Sequence, residues 1–485
     1  MKCRILQVLA ACLLVLALQS CATYHKSMGS YYKYLQAENY EEAQRSIANN
    51  NLINKDRNNL LYNLEMGKLY RLQNDYVNSN KYLNIADAIA ENNYKSFADI
   101  VVSNIANPML EHYRGEDYEP FMMHYYKALN YTMLGLTEDA VVEARRITLS
   151  NNTQYNKFFR KENRYSQDAF AMNLQGMIYE MAGDVNNAFI AYRNAVELYK
   201  SNNDTYYDVQ IPAQLKLDYA RCANAIGIQN DICQQENINN TESENGYAII
   251  FIEEGFAPIK KQNEIWISKN GNNQGSFNFV DANGYSSNFD FNYASYGIGQ
   301  EDITKIKSMR IALPTYSVQN TMTKNIVVHA SDSIYYPQLA QNINSLATNI
   351  LQERFFTELA NAFARQITKK LLEKTGEVLA ENIALSTAKE KDKDKTEEQK
   401  EKTKKDQKEK AEVIGMVAGF ALNIINNATE KADTRNWQSL PAFVHYVRIP
   451  LQAGENKIKV QANGVEKTVT VLGKDGIQMV GVNVF

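Results

Sequence analysis

Two stretches of the chain overlay on each other without a gap, and this self-similarity constrains the fold more than any other feature. In NLLYNLEMGKLYRLQNDYVNSNKYLNIADAI, Gly67, Tyr70, Asp75, Tyr76, Ser79, Leu83 and Ala86 fall in order. In AFAMNLQGMIYEMAGDVNNAFIAYRNAVEL, Gly176, Tyr179, Asp184, Val185, Ala188, Tyr192 and Ala195 fall at the same offsets. The spacing is that of a helix pair of about 34 residues. A small residue at Gly67 and Gly176 lets the first helix approach the second, Tyr70 and Tyr179 fill the space between them, and Ala86 and Ala195 permit close packing with the next unit. HYYKALNYTMLGLTEDAVVEARRI adds Ala128, Tyr131, Gly135, Ala140 and Ala144, and YYKYLQAENYEEAQRSI adds Tyr34, Tyr40 and Ala43. These segments predict a helical solenoid over residues 21–240, with Ile211–Gly227 as a closing helix and Pro212 at its first turn.

Beyond residue 245 the helical spacing gives way to strands. YAIIFIEEGFAPIKKQNEIWI reads as strand, turn and strand, broken at Gly255 and Pro258, and SMRIALPTY and KNIVVHA read as further short strands. FVHYVRIPLQAGENKIKVQANGVEKTVTVLG closes the chain as hairpins, with Gly454 and Asn463-Gly464 where tight turns are needed. Residues 246–330 and 440–485 are read as one β-rich, sandwich-like domain completed by sequence-distant strands. Between them, residues 335–432 form a helical-hairpin insertion. Leu339, Ile343, Leu346, Ile350, Leu359, Phe363, Ile367 and Leu371 recur at helical spacing. A charged low-complexity segment follows at 389–412, a solvated helix or a disordered link because its signs are mixed, and VIGMVAGFALNIINNA returns beside the first helix. The expected fold is α+β and multidomain.

Residues 1–20 have the parts of an export signal: Lys2 and Arg4, the apolar ILQVLAACLLVLAL, then the small Ser20. The apolar run is shorter than the roughly 20 residues a spanning helix needs. Leu18-Gln19-Ser20-Cys21 resembles the bacterial lipobox. That resemblance implies that Cys21 becomes the first mature residue and carries N-acyl and S-diacylglycerol chains. Several chains hold a protein stably where one is marginal, at about 0.8 kcal/mol per buried methylene. Ala22, in place of the aspartate of an inner-membrane signal, implies the outer membrane, facing the periplasm or the outside. Cys222 and Cys233 remain in the mature chain. An exported compartment permits a disulfide, and a disulfide and two free buried thiols stand as equal readings.

A formal net charge of −3 gives no general attraction to nucleic acid. None of His25, His112, His124, His329 and His445 is spaced with another ligand as in a zinc site. No G-x-S-x-G, Walker loop or dinucleotide fingerprint occurs. The chain therefore reads as a non-enzyme without metal or cofactor other than the lipid on Cys21. His112 and His124 flank GEDYE, whose Glu116 or Asp117 could join them around a metal, but helix packing accounts for them more simply. Candidate partner-binding residues are Tyr118, Tyr131, Arg145, Arg146, Asp433, Arg435 and Trp437. Gly115, Glu116, Asp117 and Tyr118 precede a helix, where carboxylates cap exposed amides. Arg145 and Arg146 end a helix, where arginine can grip a partner carboxylate or complement the helix dipole. Asp433, Arg435 and Trp437 read as an ion pair with an aromatic lid, at the junction between the insertion and the last strands.

The helix pairs are similar to the tetratricopeptide pattern, whose concave surface commonly holds peptides or protein segments. YRGEDYEPFMMHYYKALNYTMLG with DAVVEARRI, then EEGFAPIKK, RIALPTY and ADTRNWQSLPAFVHYVRIPL, resemble in their order a family of bacterial lipoproteins with tetratricopeptide-like repeats. Members of that family are often encoded beside a small outer-membrane lipoprotein that activates penicillin-binding proteins, which implies a role in the cell envelope and in peptidoglycan synthesis. Two readings follow: a lipid-anchored scaffold or adaptor that binds envelope proteins through its helical surface, or an envelope enzyme or glycan-binding protein acting on peptidoglycan or another surface polymer.

Overall fold

The computed structural model describes residues 24–92, 108–157, 165–228, 243–270, 275–386 and 431–485. The export signal, Cys21, Cys233, the charged segment 389–412 and the apolar run after it lie outside the described residues. The fold is mixed α+β, with a helical N-terminal region followed by β-sheets.

The helical region comprises α1 (Tyr24–Gln36), α2 (Tyr40–Ala48), α3 (Asn59–Leu72), α4 (Tyr76–Asn92), α5 (Glu119–Met133), α6 (Thr137–Lys157), α7 (Ala169–Met181), α8 (Val185–Ser201) and α9 (Ala213–Ala225). One turn joins α1 to α2, α3 to α4, α5 to α6 and α7 to α8. The amides of Asn39, Asp75, Leu136 and Asp184 donate to the carbonyls of Tyr34, Tyr70, Tyr131 and Tyr179, each at 2.9 Å. The residue before each donor is left-handed: Glu38 (φ 56°), Asn74 (61°), Gly135 (73°) and Gly183 (76°). A left-handed residue stops a helix while its neighbours satisfy the last carbonyls. The next helix starts at once, because Asn39, Asp75 and Asp184 accept from the amides of Glu42, Asn78 and Asn187 at 3.3, 3.0 and 3.1 Å. Within the pairs the small residues are required by contact. A Cβ on Gly67 would lie 2.5 Å from Leu83 Cδ2, and one on Gly176 would lie 2.4 Å from the Tyr192 ring.

A two-stranded hairpin, β1 (Thr205–Tyr206) and β2 (Val209–Gln210), links α8 to α9. The first large sheet has the order β10 (Gln338–Asn342), β11 (Phe443–Pro450), β3 (Tyr247–Glu254), β14 (Ile477–Val484). β14 runs parallel to β3 and the other pairs are antiparallel. The run YAIIFIEE is apolar on both faces because β3 is central and covered on both sides. Ile249 and Phe251 join the core of the helices, together with Val444, Tyr446 and Met479. Ala248, Ile250 and Ile252 face the other way, into a cluster shared with a second sheet, β13 (Val465–Gly473), β12 (Gly454–Ala462), β8 (Val327–Ala330), β9 (Ser333–Tyr335).

The third sheet, β6 (Ser286–Asp290), β5 (Ser276–Asp281), β4 (Ile259–Lys269), β7 (Ser308–Ser317), has a core of its own. A short α10 (Gln300–Thr304) precedes β7, and the long α11 (Ile343–Ser386) packs on the sheet. Ile265, Ile267, Phe277, Phe279 and Ile311 meet Leu359, Phe363 and Ile367 of α11. The helix of the expected insertion thus begins at Ile343, not near residue 335. Residues 338–342, Leu339 among them, are strand β10, drawn into the first sheet by pairing with β11. Among the described residues no helix is long and apolar enough to cross a membrane.

Candidate functional site

The helical face that the sequence offers to a partner is covered by the chain's own first sheet. α3 and α5 present Lys68, Tyr125 and Tyr126 to β3 and β14. The Lys68 ammonium pairs with the buried Glu253 carboxylate, which also accepts from Tyr125 at 3.0 Å and Tyr126 at 2.9 Å. Lys68 donates further to Asn483 Oδ1 at 2.9 Å. Farther along, Arg448 of β11 is held by Glu180 at 2.9 Å and Asp218 at 3.0 Å. Burial pushes the Glu180 and Glu253 carboxyls up, but the cations beside them hold both below their ordinary value.

A cleft of about 720 Å³ opens where the helices, the third sheet and α11 meet. Its walls combine four sequence-distant phrases: Arg114, Gly115 and Glu116; Lys260; Leu313 and Pro314; Asp433 and Arg435. The remaining wall is a stripe of α11, Leu351, Arg354, Glu358, Asn361, Arg365 and Thr368, spaced three and four residues apart and so on one helix face. Glu116 ties these walls together. It pairs with Lys260 of β4 and, at 2.6 Å, with Arg354 of α11, whose other nitrogen lies 3.6 Å from Asp117. Burial raises the Glu116 carboxyl, but the two cations outweigh it and hold it at about 2.

Behind this clamp lies a second carboxylate with the opposite shift. Glu119 is pushed up to about 8 by burial and by the charge of Glu116, against hydrogen bonds from the Trp437 amide at 2.8 Å and the Tyr113 hydroxyl at 2.7 Å. Glu65, beneath Tyr24, Tyr31 and Tyr32, is pushed up to about 7 by burial, opposed by hydrogen bonds from Ser439, Tyr32 and Tyr31. Glu116 is locked as an anion, and Glu119 is sealed behind Tyr113 and Trp437. The arrangement presents fixed charges to a ligand.

The candidate residues separate into two groups. Tyr118, Arg435 and Trp437 are buried, only Arg435 of the three lines the cleft, and the contacts of Arg435 and Trp437 lie at the junction that the sequence suggests for them. Arg435 donates to Asp433 at 2.9 and 2.7 Å, to Asn58 Oδ1 at 2.8 Å, and to the carbonyls of Glu111 and Pro108 at 2.9 and 3.1 Å. Its guanidinium is spent on stapling the 108–111 loop to the 433–437 segment. Trp437 packs its ring 5.7 Å from Tyr126. Asp433 is part-exposed on the cleft wall. Tyr131 is half-buried beside the α5–α6 turn. On α6, Arg145 is exposed, while Arg146 is bound to Asp87 at 2.5 Å and Glu91 at 3.2 Å. Cys222 is a free, buried thiol among the described residues.

One group has metal-ligand chemistry. Atoms of Asp87, His124 and Glu143 lie within 4.8 Å of one another. Lys127 already sits between the two carboxylates, 2.6 Å from Asp87 and 2.9 Å from Glu143, and Arg146 holds Asp87 as well. Two cations balance the two acids, and a metal ion there would face their repulsion. Arg354, Glu253 and Lys68 were not legible as site residues. The signal for Arg354 was the polar stripe of α11 opposite its apolar one; that for Glu253 was a pair of acids ending an otherwise apolar strand.

Comparison with protein-family models and with curated proteins gives no match.

Proposed function

We propose that the protein is a lipid-anchored scaffold of the bacterial cell envelope, held to the outer membrane through Cys21, that docks an envelope protein in the junction cleft. The observation that carries this reading is the cleft itself: four phrases far apart in sequence converge on one polar concavity, while the inner helical face is already filled. The turn that recurs after Tyr34, Tyr70, Tyr131 and Tyr179 supports a tetratricopeptide-like repeat. The cluster shared by the first two sheets supports a sandwich-like β-domain. The resemblance to envelope lipoproteins ties the partner to peptidoglycan synthesis. A second reading, glycan binding, is favoured by Tyr296 at the rim, whose hydroxyl meets Asn361 of the α11 stripe at 2.9 Å.

A photo-crosslinking residue in place of Ser295, exposed on the cleft, tests the two readings in intact cells. Recovery of one envelope protein, lost with Arg114→Glu at unchanged thermal stability, supports the scaffold. Recovery of no protein, with sedimentation of the purified chain on peptidoglycan, sinks it in favour of the glycan reading.

A further inference from the structure

The folded body begins three residues after Cys21. Tyr24 is fully buried. Its amide donates to Thr434 Oγ1 at 3.3 Å and its hydroxyl accepts from Tyr32 at 3.1 Å. The adjacent His25 ring meets Gln438 at 2.9 Å. The first turn of α1 is thus fixed against the 434–438 segment, whose Thr434 also touches Met109 Sδ at 3.9 Å. Only Ala22 and Thr23 separate Tyr24 from Cys21. Three Cα steps of 3.8 Å reach at most about 11 Å, and the headgroup layer beside a bilayer's hydrocarbon core is itself roughly 5–8 Å deep.

We infer that the protein rests on its own membrane by one fixed face, the face around the first turn of α1 and the loop 108–114; this rests on the lipid-anchor reading above. A long tether would let the body tumble above the bilayer, whereas a tether this short cannot. The face suits a lipid surface. Lys26 in the first turn of α1 and Arg114 in the loop are exposed cations, Lys431 just before Asp433 is half-exposed, Leu110 exposes an apolar side chain, and Glu111 of the loop is half-buried. Of its acids, Asp433 is bound to Arg435. Anionic headgroups attract such a basic rim. The opposite end of the body stands away from the membrane. Phe256, just past the end of β3, packs on Tyr32 of α1 at 6.0 Å, while the start of β3 meets the turn at Gly476. β3 has 8 residues, so at about 3.3 Å per residue Asp475 lies more than roughly 20 Å from the anchored end. The junction cleft, with Asp433 and Arg435 in its wall, then opens beside the bilayer.

The lipidated full chain, in a Cys233→Ser background, can be labelled with a fluorophore at Lys26→Cys or Asp475→Cys on vesicles of phosphatidylethanolamine and phosphatidylglycerol carrying a headgroup quencher. Cys222 does not compete, being buried with its thiol pushed up to about 12 by desolvation first of all. Quenching is expected at Lys26→Cys and absent at Asp475→Cys. The contrast is expected to be lost when about 20 Gly/Ser residues, with a reach of about 25 Å, are inserted between Thr23 and Tyr24. Equal quenching at both positions of a chain whose N-terminal peptide carries acyl mass overturns the fixed orientation and leaves the anchor standing. An N-terminal peptide without acyl mass overturns the anchor and the orientation together.

Discussion

Arg354 donates to Glu116 at 2.6 Å across 238 residues of sequence, and with Lys260 this closes α11, the third sheet and the loop before α5 around one carboxylate. Removing one partner of a buried ion pair leaves an uncompensated charge, at a cost of about 3–5 kcal/mol. Glu116→Gln is therefore expected to lower the denaturation midpoint by a large margin and to loosen α11 around Arg354, while Ile343 to Ile350 and the Glu353 bonds to Tyr165 and Tyr207 still hold it. Urea unfolding with proteolysis of α11 measures both. The contribution of Glu116 is present above its ordinary value of 4.5 and is lost as pH falls through about 2.

Glu119 and Glu65 give the opposite pH dependence. Their folded values of about 8 and about 7 lie above the ordinary 4.5, so the folded state holds protons that the unfolded chain releases. Their contribution is full below 4.5 and is lost as pH rises through 7 and 8. For Glu119 the loss is bounded at roughly 4–5 kcal/mol. Glu119→Gln keeps the acceptor for Trp437 and cannot ionise. Its unfolding midpoint, followed from pH 5 to 9, is expected to decline less steeply than that of the parent chain; an identical slope would refute the assignment.

The Lys68–Glu253 pair seals the helices to the first sheet. Lys68→Met is expected to cost about 3–5 kcal/mol, because Glu253 stays buried with only tyrosine hydroxyls and the more distant Arg71 to oppose its charge. Adding Glu253→Gln is expected to recover most of that loss. A double-mutant cycle by denaturant unfolding gives the coupling, and additive losses would show that the pair does not act as a unit.

Gly176→Ala is expected to cost about 1–3 kcal/mol by forcing its new methyl against the Tyr192 ring. Gly29→Ala, inside α1 and with no described atom within 4 Å of the new methyl, is expected to be neutral or to stabilise by up to about 1 kcal/mol. Thermal unfolding of the two variants side by side decides whether close helix approach, and not glycine's flexibility, requires the small residue.

What could be read in advance was whatever depends on neighbours in sequence. Tyr, a left-handed residue and a capping Asn or Asp recur in short windows, so the helix pairs and their turns were legible, as were the strand runs of β3, β4, β7, β8 and β11 to β13, while β5, β6, β9 and β14 were not. The apolar stripe of α11 announced its packing face. The start of that helix was misplaced because Leu339 fits a helical period as well as a strand, and only β11, more than 100 residues later, decides between them. The burial of Tyr118, Arg435 and Trp437 was illegible for the same reason: an arginine beside an aspartate looks alike on a surface and in a core.

By itself the sequence determined the helix pairs, the apolar strands and the short distance between Cys21 and Tyr24, because each follows from local spacing and chain length. Tertiary structure alone decided that the inner helical face is filled by β3 and β14 and that Glu116, Lys260, Arg354 and Asp433 share one cleft. It also decided that two glutamates near one another carry opposite shifts. Burial and Coulomb interaction depend on distance in space, and distances across 238 residues are set only when the sheets close on the helices.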